Sequence, residues 1–223
     1  MSIVMFWNHE QRSQGVKLPK VTRRRLDDLP EIGHVLAAVG RLGHDELRVA
    51  ARLAVATGAR RGELVALRWS DVDLEVGAAR FMGSIAAGPN RTLVRKSTKG
   101  GKPKVMALDP GTVAVLADWR AKGRGRGPVL PSPSDPTVPW HPGQVTLMWH
   151  RHRGSVGLEA LRFHDLRHLH ATALLAAGVP VNTVADRMGH ASARMTLDVY
   201  AHAIPAHDQA AADVIGRAER PSR

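Results

Sequence analysis

The segment "LRFHDLRHLHATALLAAG", Leu161–Gly178, combines three histidines and two arginines with a second half that is almost entirely apolar. On an α-helix, Leu166 and Leu169 fall on one side, whereas His164 and Arg167 fall on another. Backbone N–H groups at a helix N-terminus also favour anions. The segment therefore predicts a helix that packs through its apolar stripe and presents a histidine and an arginine to an anion such as phosphate.

Two other interpretations of the same histidines stay open at this point. His164 and His168 have the i, i+4 spacing of a zinc-binding helix, but Asp165 stands where such helices carry glutamate, and Arg167 between the ligands would repel a dication. A zinc hydrolase would also need an acidic third ligand, for which the sequence offers no convincing candidate. Alternatively, the histidines are ordinary residues of a helix. We expect His168 and His170 to be of this kind, either packed in the domain or exposed on its surface. No metal is expected.

The composition indicates a polyanionic partner. The 223 residues include 32 Lys and Arg against 20 Asp and Glu, a net charge of +12. Much of this charge lies in two segments without acidic residues, 12–25 and 91–104, and clustered charge is typical of a nucleic-acid footprint. An arginine-rich overall composition is the alternative explanation.

Several classes of protein are excluded or disfavoured by composition. The chain has no cysteine, which excludes disulfides and cysteine-based zinc sites. It has no long apolar run and no signal peptide pattern. A cytoplasmic, nucleoid-associated protein without membrane contact is therefore expected.

The chain divides into a basic, flexible arm over residues 1–25 and one domain over residues 26–223. We predict an α+β fold, mostly helical, with a small three-stranded antiparallel sheet. Its strands are expected within 78–86, 91–98 and 102–109, with a hairpin at 98–102. Gly58 is expected to end a helix, and Asp109 followed by Pro110 to begin another.

Four motifs now occur in order: "TGARRGELVALRWSDVDL" (57–74), a basic hairpin, "HDLRH" (164–168), and "GH" (189–190) followed by Tyr200, the only tyrosine of the chain. In this order the motifs resemble the catalytic domain of the tyrosine recombinases, the phage-integrase family. The resemblance runs from about residue 26 to residue 219. It implies the tyrosine-recombinase catalytic fold for this chain.

The resemblance implies a role for each matched residue. Arg60 matches the first catalytic arginine, with Arg61 as a neighbour that could be confused with it, and Glu63 matches an acidic position that supports the site. The remaining matches are the pair His164 and Arg167, the histidine His190 and the nucleophile Tyr200. The catalytic lysine is expected at Lys99, from the length of "KGGKPKVMAL", with Lys96 as the alternative.

The implied chemistry needs neither a cofactor nor a metal. Two arginines would clamp the non-bridging oxygens of a phosphodiester, and the tyrosine oxygen would attack phosphorus to give a 3′-phosphotyrosyl link. Lys99 would protonate the leaving 5′-oxygen. His164 would accept the tyrosine proton or hold the phosphate, and His190 would bind the phosphate.

The expected partner is double-stranded DNA. The residues expected to bind it outside the catalytic set are Arg23, Arg24, Arg25, Arg95, Lys96, Lys102 and Lys104. A C-terminal helix over residues 206–219 is expected to support self-association on DNA. The N-terminal core-binding domain that is usual in this family is expected to be absent. A DNA-binding remnant, a partial integrase and a topoisomerase-like nicking-closing enzyme are therefore kept as alternatives to an active recombinase.

Overall fold

The structure is a computed structural model that describes residues 29–89, 92–97, 103–201 and 204. The basic arm with Arg23, Arg24 and Arg25, the segment 98–102 with Lys99 and Lys102, and the predicted helix over 206–219 lie outside the described residues. Within the described residues, no helix is long and apolar enough to cross a membrane.

The described residues form a mostly helical α+β domain. The helices are α1 (Ile32–Gly40), α2 (Asp45–Thr57), α3 (Arg61–Ala66), α4 (Pro110–Trp119), α5 (Pro142–His152), α6 (Asp165–Ala176), α7 (Val181–Met188) and α8 (Ala193–Tyr200). The strands are β1 (Val72–Asp73), β2 (Ala78–Phe81), β3 (Gly83–Ala87), β4 (Leu93–Ser97) and β5 (Lys104–Ala107).

The small three-stranded antiparallel sheet is confirmed, although its strands differ from those predicted. Its order is β1–β2–β5, and β3 pairs with β4 in a separate two-stranded ribbon. The predicted first strand is divided at Met82 into β2 and β3. At Gly83 the backbones of β3 and β4 lie so close together that a Cβ atom would collide with the Lys96 carbonyl. The predicted hairpin required β4 to pair with β5. This prediction is wrong for the described parts of the two strands, because β4 pairs with β3 and β5 pairs with β2.

Helix α2 is the centre of the main core. Its buried positions cover most of its surface, among them Leu47, Val49 and Leu53. The remaining side, with Arg48 and Arg52, is partly exposed. It packs against α6, α1, α4 and α5. At its end Gly58 adopts the left-handed conformation with φ +61°, as predicted. This turn leads the chain directly into Arg60.

Two further local signals fold as the sequence predicts. The Asp109 carboxylate accepts the backbone N–H of Thr112 at 3.1 Å, and Pro110 begins α4. A second, smaller apolar cluster lies between α6, α7 and α8. It consists of Ala171, Leu175, Val184, Met188 and Tyr200.

Gly58 also passes unusually close to α6 and α7. A Cβ atom at this position would lie 2.6 Å from Cδ2 of His170 and 3.0 Å from Sδ of Met188. Gly178 has a similar left-handed backbone, with φ +77°, but a Cβ atom there would meet nothing within 4 Å. We expect Gly58→Ala to lower the free energy of unfolding by about 2 kcal/mol more than Gly178→Ala, because only the first adds overpacking to backbone strain. Urea unfolding of both variants measures this, and equal losses would contradict the close packing at Gly58.

Candidate active site

A cleft of about 540 Å³ opens between the start of α3 and the start of α6. Its lining residues are Ala59, Arg60, Arg61, Gly62, Thr146, Arg162, Phe163, His164 and Arg167. Four of these nine are arginines. The cleft therefore carries concentrated positive charge, which suits an anionic ligand.

Arg167 lies at the bottom of the site rather than on a surface-facing side of its helix. It is 4% exposed, and its guanidinium donates to the carbonyl oxygens of Gly58 and Met188. Burial and the nearby charge of Arg60 lower the pKa of Arg167 to about 10, so it stays charged at neutral pH. The ends of α2 and α7 thus fix the orientation of a buried cation.

Arg60 is positioned by Glu63. The Glu63 carboxylate accepts the backbone N–H of Arg60 at 2.8 Å and an Nη1 proton of the same arginine at 3.2 Å. Nη2 of Arg60 lies 3.5 Å from the Gly189 carbonyl oxygen. The neighbouring Arg61 donates instead to the Thr146 hydroxyl. The two adjacent arginines therefore point to different parts of the cleft.

Lys104, which we expect to contact DNA, lies beside Glu63 in the structure. Its side chain is 18% exposed, and Nζ contacts Glu63 Oε2 at 3.3 Å and the Arg187 carbonyl oxygen at 3.2 Å. Burial lowers the pKa of Lys104, and the charge of Glu63 opposes this. Lys104 is thus a partly buried counter-ion of Glu63.

Glu63 is the acidic partner of both cations. Burial alone would raise the pKa of Glu63, but the charge of Lys104 and the contacts with Arg60 lower it below 4.5. The carboxylate therefore stays ionised. It compensates the positive charge of Lys104, Arg60 and Arg167.

We expect Glu63→Gln to lower the free energy of unfolding by about 3 kcal/mol, because breaking a buried ion pair leaves the other charge uncompensated. Glu159→Gln is the matched control, since Glu159 is an exposed glutamate. Adding Lys104→Met to Glu63→Gln should recover part of the loss, because the unpaired cation is then removed. Urea unfolding of the three variants measures this, and a Glu63→Gln loss equal to that of the control would contradict the buried pair.

Tyr200 is the last residue of α8 and is buried. It is 1% exposed, and its hydroxyl lies 2.6 Å from Nδ1 of His168. Burial raises the pKa of Tyr200 to about 12, and the charge of Arg167 partly opposes this. The phenol is therefore neutral at neutral pH and hydrogen-bonded to one histidine.

The two remaining histidines of the predicted set lie on either side of Arg167. His164 precedes α6 and lines the cleft; burial and the charge of Arg167 lower its pKa. His190 follows the left-handed Gly189, and its Nδ1 lies 2.8 Å from the Thr196 hydroxyl. Burial, with the charges of Arg167 and Arg60, lowers the pKa of His190 to about 4. It is therefore neutral at neutral pH.

Within the described residues, the structure brings Arg60, Glu63, His164, Arg167, His190 and Tyr200 into one region. Arg95 and Lys96 are exposed on β4. No group of three or more histidine, aspartate and glutamate side chains suited to a metal ion occurs in the described part of the chain.

Two residues of the site differ from what the sequence led us to expect. His168 was expected to be a packing or surface residue, yet it contacts the Tyr200 hydroxyl. The sequence did contain an indication of this role, because His168 follows His164 by one helical turn and shares its side of the helix. His170 is buried and contacts the Val55 carbonyl at 2.8 Å, in agreement with a packing role. For Lys104, no sequence pattern indicated that its side chain would pair with Glu63.

Comparisons with known proteins agree with this fold. The profile of the phage integrase family matches residues 28–207. Tyrosine recombinase XerD of Vibrio cholerae is 30% identical over 196 residues, which cover 82% of this chain and 59% of that protein. The chain spans about half the length of the curated relatives that it matches.

Solved structures resemble the same domain. The XerH site-specific recombinase bound to its difH substrate superposes with a TM-score of 0.63 at 18% identity, covering 91% of this chain and 57% of that one. The catalytic domain of bacteriophage HP1 integrase superposes with a TM-score of 0.55 at 20% identity, covering 86% of this chain and 95% of that one. The fold is that of a tyrosine recombinase catalytic domain. This chain belongs to the phage integrase family.

Proposed function

We propose that this chain cleaves and rejoins DNA as a site-specific recombinase or integrase, through a 3′-phosphotyrosyl intermediate at Tyr200. The observation that carries the proposal is the position of the only tyrosine. Its hydroxyl contacts His168, and the ring of His168 packs against His164, which lines the cleft together with Arg60 and Arg167. Such a cleft accommodates a phosphodiester, and a phenol beside it supplies a nucleophile.

The two arginines are the proposed phosphate clamp. Arg167 is held by two backbone carbonyls and Arg60 by Glu63, so both cations are oriented before DNA binds. Preorganised donors stabilise the charge that develops on the non-bridging oxygens in the transition state. His164 and His190 are proposed to add hydrogen bonds to the phosphate. Lys99 is proposed to protonate the leaving 5′-oxygen, with Lys96 as the alternative.

DNA as the substrate is supported by the charge of the chain and by its relatives. The net charge is +12, and the exposed Arg95 and Lys96 lie on β4, close to the segment that contains Lys99. We propose that these residues and Lys102 contact the phosphate backbone, together with Arg23, Arg24 and Arg25. We also propose that the chain acts on the DNA of a mobile element, in the cytoplasm at the nucleoid. Self-association on DNA through residues 206–219 belongs to the same proposal.

The test traps the intermediate and identifies the DNA site in the same experiment. The full chain is incubated with a library of nicked duplexes of random sequence, in which cleavage beside the nick releases a short fragment and prevents rejoining. Covalent complexes are isolated under denaturing conditions, their DNA is sequenced, and the modified peptide is mapped. We expect an enriched sequence beside the nick and DNA attached at Tyr200.

The alternatives give different results. A DNA-binding remnant would retain DNA but form no covalent complex with any duplex. A topoisomerase-like enzyme would relax supercoiled plasmids of arbitrary sequence and would show no enriched motif. Either outcome would contradict the proposal of site-specific recombination.

A further inference from the structure

The Tyr200 hydroxyl has one described side-chain partner, and it is a histidine outside the set that the family resemblance selects. Nδ1 of His168 lies 2.6 Å from Oη of Tyr200, and the two ring centres are 5.7 Å apart. The tyrosine is 1% exposed. A buried hydroxyl with one histidine partner has its proton direction fixed by that partner.

The proton state of the pair follows from the surroundings of His168. Burial, followed by the charge of His164, lowers the pKa of His168 to about 4. The charged and titratable groups that face it are His164, Asp165, Arg162, Arg167 and Tyr200. The ring is therefore neutral at neutral pH. In its Nε2–H tautomer, Nδ1 accepts the hydrogen bond that the Tyr200 hydroxyl donates.

His168 also connects the tyrosine with the cleft. The rings of His168 and His164 are in edge-to-face contact, with centres 4.9 Å apart, and His164 lines the cleft. His164 was one candidate for the acceptor of the tyrosine proton, but the described contacts place His168, not His164, on the hydroxyl. The Asp165 carboxylate counteracts the loss of basicity at His168.

We propose that His168 both orients the Tyr200 hydroxyl and accepts its proton when the hydroxyl attacks phosphorus. This step rests on the proposed function. The Oη–H bond breaks and the proton moves to Nδ1, while an Oη lone pair forms the bond to phosphorus. The bond between phosphorus and the 5′-oxygen then breaks, and the leaving oxygen takes a proton from the general acid. A phosphate bound by Arg60 and Arg167 brings negative charge that raises the basicity of the neighbouring imidazole.

Two substitutions separate orientation from proton transfer. Asparagine at position 168 carries an amide oxygen near the location of Nδ1, so His168→Asn keeps a hydrogen-bond acceptor but removes the base. His168→Phe removes both functions and keeps a ring of similar size. We expect single-turnover cleavage of the trapped DNA sequence to fall about 100-fold in both variants, with DNA affinity unchanged.

The leaving group provides the control for the kinetic test. A DNA substrate with sulfur in place of the 5′-oxygen at the scissile position leaves without protonation. This substrate should therefore restore cleavage to a variant that lacks the general acid. Lys99→Ala is the variant proposed to lack it. The same substrate should not restore cleavage to either His168 variant. Cleavage at the wild-type rate in His168→Phe, recovery of the rate in His168→Asn, or rescue of both by sulfur would overturn the assignment of the base.

A second measurement tests the contact independently of cleavage. Because Tyr200 is the only tyrosine, isotope labelling of the tyrosine ring carbon that bears the hydroxyl gives one NMR signal. We expect this signal to move in His168→Phe and to stay near its wild-type position in His168→Asn. A signal that moves equally in both variants, or in neither, overturns the orienting role. Absence of covalent complex in the wild type would refute the proposed function, whereas this measurement would still decide the contact.

Discussion

The variant Tyr200→Phe is expected to form no covalent complex with DNA. Phenylalanine fills the same space between α6, α7 and α8, where Tyr200 is 1% exposed, but it has no oxygen with which to attack phosphorus. No other tyrosine exists in the chain, so a neighbouring tyrosine cannot replace the nucleophile. The expected loss is therefore complete rather than partial.

The same variant should remain folded and bind DNA. Among the described residues, the hydroxyl that is removed makes one hydrogen bond, to His168, and the loss of a single hydrogen bond costs about 1 kcal/mol. Denaturing gel electrophoresis measures the covalent complex, fluorescence anisotropy measures the affinity, and urea unfolding measures the stability. Covalent complex in Tyr200→Phe at the wild-type level would place the nucleophile elsewhere.

Replacement of Arg60 by lysine is expected to slow cleavage by a factor of about 100 to 1,000, the cost of removing one transition-state donor. Arg60 offers a planar fork that is held by Glu63 and the Gly189 carbonyl, and a lysine ammonium cannot reproduce this geometry. The site should therefore lose phosphate stabilisation while keeping its charge.

Arg61 provides the adjacent control. It also lines the cleft, but its guanidinium donates to the Thr146 hydroxyl, a contact that a lysine can replace in part. Arg61→Lys should change single-turnover cleavage only a few-fold. If Arg61→Lys were the slower of the two, the identity of the first catalytic arginine would be reversed.

Features that depend on local sequence were predictable. Gly58 ends α2 because a left-handed residue is required there, and Asp109 with Pro110 begins α4 through a side-chain cap and a preset backbone angle. The position of Arg167 on α6 follows from helical spacing. The spacing could not predict that Arg167 is buried, because its burial depends on carbonyl groups contributed by the ends of α2 and α7.

Features that depend on distant contacts were not predictable from the same patterns. Strand composition indicated β4 and β5, but the choice of partner for each strand is made by register and close approach, such as the contact at Gly83. Lys104 belongs to a basic segment that suggested DNA contact. Its burial depends on Glu63, which lies 41 positions earlier in the chain, and no local pattern connects the two.

The small cluster around Tyr200 has a consequence for how the nucleophile becomes available. Among the described residues, the apolar neighbours of Tyr200 belong to this cluster and not to the larger core around α2. Tyr200 is also absent from the residues that line the cleft. Elements with few buried apolar neighbours open with less free energy than whole-domain unfolding requires. Amide hydrogens of α8 should therefore exchange with solvent faster than those of α2, so that exposure of the nucleophile would not require unfolding of the core around α2.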